Sequence, residues 1–325
     1  MKKINWGIIG CGDVTEIKSG PAFNKVKNSS LVAVMRRDGA KAKDYALRHH
    51  VPRWYDDAQS LIHDPQVNAI YIATPPDSHE TYAIAAINAG KPVYVEKPMA
   101  VNFAAADNMA AIAKEKNIKL SVAHYRRELP VFKKIKQLLD EKVIGDILFA
   151  RLEYYRKAFT KDELAAKKLW RVNPAIAGGG LFHDLAPHQL DLMYYFFGEV
   201  EKATGIATNQ AGLYEADDLV AGNILFKNGI GFSGLWCFNI PAGDEKDYCE
   251  ITGTRGKLGF HFFENKTIRV TRNGEEEIFS IDVPQHVQQP LIAKVVAYFL
   301  GEGENPCSGE EGAEVMKLID QITRS

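Results

Sequence analysis

Residues 4-INWGIIGCGDVT-15 decide the fold. A short apolar run passes without a break into Gly10-Cys11-Gly12, and polar residues follow at once. That order describes a strand, a tight turn and the start of a helix. Two glycines permit the turn and a close backbone approach, so a pyrophosphate can rest on the helix N-terminus. Gly10, Cys11, Gly12, Asp13 and Val14 are therefore candidate cofactor-binding residues. The third position of the dinucleotide fingerprint is Thr15, where a glycine or alanine normally lets helix and strand pack closely.

Working outward, short apolar runs alternate with amphipathic stretches. Strands are expected at 4–9, 31–35, 68–73, 93–95 and 119–123, with helices near 14–28, 39–49, 78–90 and 102–117. Apolar, two-sided strands alternating with helices predict a parallel sheet covered on both faces. The texture then changes. Asn228-Gly229 and Asn273-Gly274 each sit between strand-like runs, which predicts hairpins in an antiparallel sheet. The end is helical, with a Ser308/Glu311 capping box and Val315, Leu318, Ile319 and Ile322 on one face. The fold class is α/β: a Rossmann dinucleotide-binding domain over 1–123, then an α+β domain over 124–325 with a large, mostly antiparallel open sheet. The last helix is free to pack back on the first domain.

The totals bound the function. A chain of 325 residues, 46% hydrophobic and 25% charged, suits two globular domains. A net charge of -1 and a pI near 6.8 give no reason to expect nucleic acid or a membrane surface as partner. Cys11, Cys237, Cys249 and Cys307 show no metal-ligand spacing and read as free thiols of a reducing compartment. No run approaches the roughly 18 apolar residues of a membrane helix. A cytoplasmic enzyme without a metal is the expectation.

Cofactor choice is read after the second strand, at 31-LVAVMRRDG-39. An acidic residue there would accept ribose hydroxyls and repel a 2′-phosphate. Arg36 and Arg37 can instead clamp a phosphate, so NADP is favoured over NAD, with Asp38 as the competing ribose ligand. Next, 73-ATPPDSH-79 gives a rigid loop in which Thr74, Pro75, Pro76 and His79 are candidates to hold the nicotinamide end, and Asp77 or Ser78 is the expected helix cap. The following strand ends in 93-VYVEKPMA-100. Glu96 and Lys97 thus stand where open α/β sheets bind ligands. A lysine there can favour the alkoxide that precedes hydride loss.

The stretch 181-LFHDLAPHQLDLMYYFFG-198 places Asp184, His188 and Asp191 on one face of an otherwise apolar helix. A buried histidine, a metal site and an acid/base pair all fit that pattern. Gly178-Gly179-Gly180 ahead of it, and the want of further ligands beyond His183, favour acid/base work by His188 with Asp184 beside it. After the fifth strand, Tyr125 and Arg126 or Arg127 are candidates for substrate oxygens, interdomain ion pairing being the alternative. His49 and His50 read as surface residues.

Four segments in order, 73-ATPPDSHETYAIAAINAGK-91 running into 92-PVYVEKPMA-100, 168-KLWRVNPAIAGGGLFHDLAPHQLDLMYYFFG-198, 253-GTRGKLGF-260 and 284-PQHVQQPLIAKVV-296, resemble the glucose–fructose oxidoreductase / inositol dehydrogenase / MocA family. The resemblance covers most of the chain. It implies NAD(P)-linked redox chemistry on a small carbohydrate or polyol, and a homodimer or homotetramer formed through the open sheet. It casts Lys97 as the catalytic-support lysine and Asp184 and His188 as the substrate-gripping, proton-moving pair. Trp170 and Arg171 would line cofactor and substrate. Ala186 stands where the family's signature usually has glycine, and Pro187 is unexpected. Two rivals share the framework: a glycoside hydrolase that keeps its NAD, and a nucleotide-binding regulator without catalysis.

Overall fold

The computed structural model describes residues 2–324 apart from 168 and 265, with the backbone alone at 165–167. The chain forms two compact units, Met1–Arg126 with Pro284–Met316, and Arg127–Val283 with Lys317–Ser325.

The first unit is built on a six-stranded, wholly parallel sheet of order β3-β2-β1-β4-β5-β6. Its strands are β1 (Ile4–Ile9), β2 (Ser29–Met35), β3 (Arg53–Tyr55), β4 (Ala69–Ile72), β5 (Val93–Val95) and β6 (Leu120–Val122). Every residue of β4, β5 and β6 is buried, as a sheet covered on both faces requires. Strand order reverses between β1 and β4, the switch point where such sheets open to ligands. The expected 14–28 helix is broken into Asp13–Ile17 and Gly20–Phe23. Gly20 is the cause: a Cβ there would lie 2.2 Å from the Thr15 carbonyl oxygen and 2.3 Å from the Tyr45 hydroxyl, and Pro21 follows. Edge strand β3 and the helix Ala58–His63, capped by Asp57 on the Ser60 amide (2.7 Å), were not legible in the pattern. The returning segment adds the helix Gln289–Leu300. Its Phe299 ring packs 5.6 Å from Trp6, and the Val122 amide donates to the Cys307 carbonyl at 3.0 Å. The Ser308/Glu311 capping box is formed in both directions, at 2.8 and 3.1 Å.

The second unit carries an eight-stranded sheet of order β14-β13-β12-β11-β7-β10-β9-β8. These are β7 (Ile147–Lys157), β8 (Val200–Thr208), β9 (Leu219–Phe226), β10 (Gly231–Ile240), β11 (Lys246–Gly253), β12 (Gly256–Phe260), β13 (Thr267–Arg272) and β14 (Glu275–Ser280). All neighbours pair antiparallel except β7 with β10. Both Asn-Gly sites form hairpins, with Asn273 and Gly274 at φ 51° and 83°, as a two-residue turn between twisted strands demands. The helix Leu181–Phe197 covers one face, its Phe182 edge-on to Trp236 at 5.0 Å and its Phe197 against Phe226 at 5.3 Å. The opposite face is open.

Candidate active site

In the first unit the glycine turn is shaped by contact with the loop that follows β4. Gly10 has φ +93°, and a Cβ on it would lie 2.7 Å from Thr74 Cγ2 and 2.8 Å from the Thr74 amide nitrogen. Only glycine allows both the left-handed backbone and the approach. The Gly10 and Cys11 amides both donate to the Met35 carbonyl (2.9 and 3.1 Å), which ties the turn to the end of β2. Gly12 differs. A Cβ there meets nothing nearer than Gly10 O at 4.0 Å, so its outer side is open. That opening, beside the amides of Asp13 and Val14, fits the phosphates of a dinucleotide. Thr15 does not spoil the turn: it is fully buried, and its hydroxyl donates to the Gly12 carbonyl at 2.8 Å. Cys11 is buried as well, and burial pushes its thiol up to about 11.

The β2 end separates its three charged residues. Arg36 Nη1 reaches the Cys11 carbonyl at 3.4 Å, so this guanidinium lies across the turn, while Arg37 is exposed. Asp38 caps the helix Gly39–Arg48, accepting from the Lys41 amide at 3.2 Å and pairing with the Lys41 ammonium at 3.2 Å. Those bonds hold its carboxyl below the usual range. Asp38 is thus committed to its helix. His49 is not the plain surface residue expected: it stacks on Tyr45 at 4.2 Å and bonds Glu16 at 2.8 Å.

Thr74 and Pro75 are half-buried and Pro76 is buried. Neither Asp77 nor Ser78 caps the helix His79–Asn88 by its side chain. The Ser78 hydroxyl donates instead to Thr74 Oγ1 at 2.8 Å. Two expected cofactor contacts are corrected. The His79 ring is fully buried, with Nδ1 3.0 Å from the Pro98 carbonyl and Nε2 2.8 Å from the Thr74 carbonyl. It lies between two strand-end loops, and burial pushes its pKa below the ordinary value, so the neutral ring donates to one of the two carbonyls. Glu96 is only 6% exposed and turns inward. Its Oε1 accepts from the Tyr71 hydroxyl (2.5 Å) and Gln288 Nε2 (2.6 Å), and its Oε2 from the Lys97 amide (3.1 Å). The Lys97 side chain is half-buried. Tyr125 and Arg126 are buried, with the guanidinium 5.4 Å from the ring.

In the second unit, Gly179 and Gly180 bring the ladder helix close to its neighbours. A Cβ on Gly179 would overlap the His183 ring at 2.1 Å. One on Gly180, at φ +89°, would come within 2.3 Å of Ala216 Cβ. The glycine run is therefore a close-approach device. Pro187 falls inside the helix, not in its first turn, and offers no N–H to the His183 carbonyl. The three ladder residues part company. Asp184 Oδ2 accepts from Arg171 Nε at 3.0 Å, and the Arg171 guanidinium lies 4.4 Å from the Trp170 ring. His188 is 4% exposed, edge-on to Phe263 at 6.0 Å. Asp191, 1% exposed, receives Arg127 through Nε (3.0 and 3.1 Å) and Nη2 (2.8 Å). Arg127 is an ion-pair residue, not a substrate ligand.

Residues 4–124 match the oxidoreductase family with an NAD-binding Rossmann fold, and residues 132–259 match the GFO/IDH/MocA C-terminal domain. The chain belongs to the GFO/IDH/MocA family of oxidoreductases. It is an enzyme of that family, with an NAD(P)-binding Rossmann domain. It is 50% identical over 318 residues to Oxidoreductase P35 of Formosa agariphila, covering 98% of each chain. It is 28% identical over 291 residues to trans-1,2-dihydrobenzene-1,2-diol dehydrogenase of Xenopus laevis, covering 88% of this chain and 83% of that one. Its fold matches levoglucosan dehydrogenase in complex with NADH at a TM-score of 0.88 and 23% identity, over 98% of this chain and 96% of the other.

Tyr71 and Gln288 were missed in the sequence. A signal existed for Tyr71: with Tyr94, its register partner, it puts a hydroxyl into two strands that are otherwise apolar. Gln288 lies 192 positions from Glu96, and no local pattern announces their pairing.

Proposed function

We propose that this oxidoreductase moves a hydride between NADP(H) and a secondary carbinol or carbonyl of a small carbohydrate or polyol. The observation that carries the cofactor choice is at the β2 end. Asp38, the acidic residue that would favour NAD, is spent on its helix, while Arg36 and Arg37 remain at the turn. When bound, the nicotinamide supplies the hydride acceptor or donor. The rest falls to the chain. Gly10, Cys11, Gly12, Asp13 and Val14 would hold the phosphates, and Thr74, Pro75 and Pro76 would wall the nicotinamide end; Trp170 and Arg171 are the second unit's candidates for lining cofactor and substrate. His188 takes the proton from the substrate's carbinol oxygen, and Lys97 stabilises the negative charge left on that oxygen. Asp184, tied to Arg171, grips a neighbouring hydroxyl, and Tyr125 and Arg126 bound the substrate. The carbohydrate class is supported by the family and by the levoglucosan dehydrogenase likeness. The Xenopus relative's name adds a vicinal diol.

The first experiment is a fluorescence titration of the purified protein with NADPH and NADH, followed by a panel of sugars, anhydrosugars and cyclic diols in both directions. Arg37→Ala is expected to weaken NADPH binding about ten- to hundredfold, the worth of a charge-assisted pair, and to leave NADH nearly unchanged. Equal loss for both nucleotides would remove Arg37 from the 2′-phosphate. A nucleotide that copurifies and never exchanges would favour the glycosidase reading.

We propose homo-oligomerisation through the open sheet face. There Phe149, Gly231 and Leu225 stand side by side on β7, β10 and β9, and Ile206, Ala221 and Leu235 form a second apolar row. Phe149, Leu225 and Ile206 are exposed, as is Ile278 on β14. Such a face calls for cover. Light scattering should report a dimer or tetramer, and Phe149→Glu with Ile206→Glu should shift it to a monomer.

A further inference from the structure

We propose that Tyr71, Gln288 and Glu96 form a buried clamp that positions Lys97, an inference that rests on the proposed role of that lysine. Lys97 lies two residues beyond a strand of only three; the Glu96 amide still donates to the Ile72 carbonyl at 2.9 Å, and the Lys97 amide is the first to leave the sheet ladder. What replaces the ladder is the Glu96 carboxylate, which folds over to accept the Lys97 amide at 3.1 Å. A carboxylate that is 6% exposed can hold that pose only if its other oxygen is well served. It is: the Tyr71 hydroxyl and Gln288 Nε2 both donate to Oε1, at 2.5 and 2.6 Å.

The donors are themselves fixed. Tyr71 stacks on Tyr94 at 5.0 Å, and both rings are fully buried. Gln288 is fully buried, and its Oε1 accepts from the Tyr94 hydroxyl at 3.4 Å. Burial, with the Glu96 charge beside it, pushes the Tyr71 phenol well above its ordinary pKa, so it stays a donor throughout the working range. On the far side of Lys97, His79 Nδ1 faces the Pro98 carbonyl at 3.0 Å. The turn that carries the lysine is thus held at the Lys97 amide itself. None of these groups reaches the outer surface of the loop. They are positioning residues, and they act through Lys97.

The test uses the full-length protein with Tyr71→Phe, which keeps the ring stack, and Gln288→Met, which keeps the volume. Hydrogen exchange is followed at the Lys97 amide, and turnover is measured with the best carbohydrate from the panel above. Each variant should speed Lys97 amide exchange about tenfold, the worth of one neutral hydrogen bond, while the amides of Ile72 and Val95 keep their rates. Turnover should fall about tenfold with cofactor affinity unchanged, and the fall should vanish in a Lys97→Ala background. Unchanged exchange in both variants overturns the clamp. So does raised exchange with full turnover, or a loss that simply adds to that of Lys97→Ala, which is the mark of a merely structural role. If Lys97→Ala itself retains full turnover, the role of the lysine fails, and the exchange rates alone then decide whether the clamp exists.

Discussion

Lys97→Ala is expected to lower turnover about a hundred- to a thousandfold while leaving cofactor affinity within about a factor of two. The lysine stands half-buried where β5 ends, at the opening face of a parallel sheet. In the proposed role, its ammonium is matched to the charge that develops on the substrate oxygen and is absent from both ground states. Removing it should therefore cost transition-state stabilisation far more than binding. The nucleotide's phosphates lie on the glycine turn in the proposed arrangement, so its affinity has no reason to change. Stopped-flow or steady-state kinetics of the variant, beside a fluorescence titration, separates the two. An unchanged turnover number would remove Lys97 from the chemistry.

A comparable effect, on stability, is expected at the lower end of the ladder. Arg127 and Asp191 are 3% and 1% exposed; Nε of the guanidinium donates to both carboxylate oxygens, and Nη2 lies 2.8 Å from Oδ1 as an ion pair. The Tyr195 ring lies 5.6 Å from the guanidinium. Arg127→Met should destabilise the protein by about 3–5 kcal/mol, because Asp191 would keep a buried charge with the Arg127 guanidinium gone. The double variant Arg127→Met with Asp191→Leu should recover most of that loss, since an apolar pair of similar volume replaces an ion pair at little net cost. Urea unfolding midpoints of the three proteins give the comparison. If Arg127→Met matched the parent, the pair would be a bystander.

How much of this could be read from the chain depends on the range of the cause. The first βα turn, the Asn273-Gly274 hairpin and the Ser308/Glu311 box are local devices, and each forms as its residues dictate. The broken first helix was also written locally, in Gly20-Pro21, but the close approach of the Thr15 carbonyl and the distant Tyr45 hydroxyl that requires a glycine there was not. Strand β3 has three residues and no repeating pattern to betray it. The ladder illustrates the limit best. Its helical spacing correctly placed Asp184, His188 and Asp191 on one helix, yet spacing could not assign Arg171 to the first and Arg127 to the last. Glu96 and His79 looked like ligands because they stand at strand ends. Which way a side chain turns there is decided by partners such as Gln288 and the Pro98 carbonyl.

The returning segment 284–316 has a consequence for synthesis. When the ribosome has made residue 126, all six strands of the first sheet exist, but Glu96 still lacks Gln288, Trp6 lacks Phe299 and β6 lacks the Cys307 carbonyl. The second unit's strands are all complete before any of those partners emerges. The nucleotide-binding unit is thus begun first but waits for 284–316 until every strand of the second sheet has been made, and the second unit in turn receives its last piece, 317–325, at the very end. On the nascent chain, neither unit can be finished as an uninterrupted stretch of synthesis.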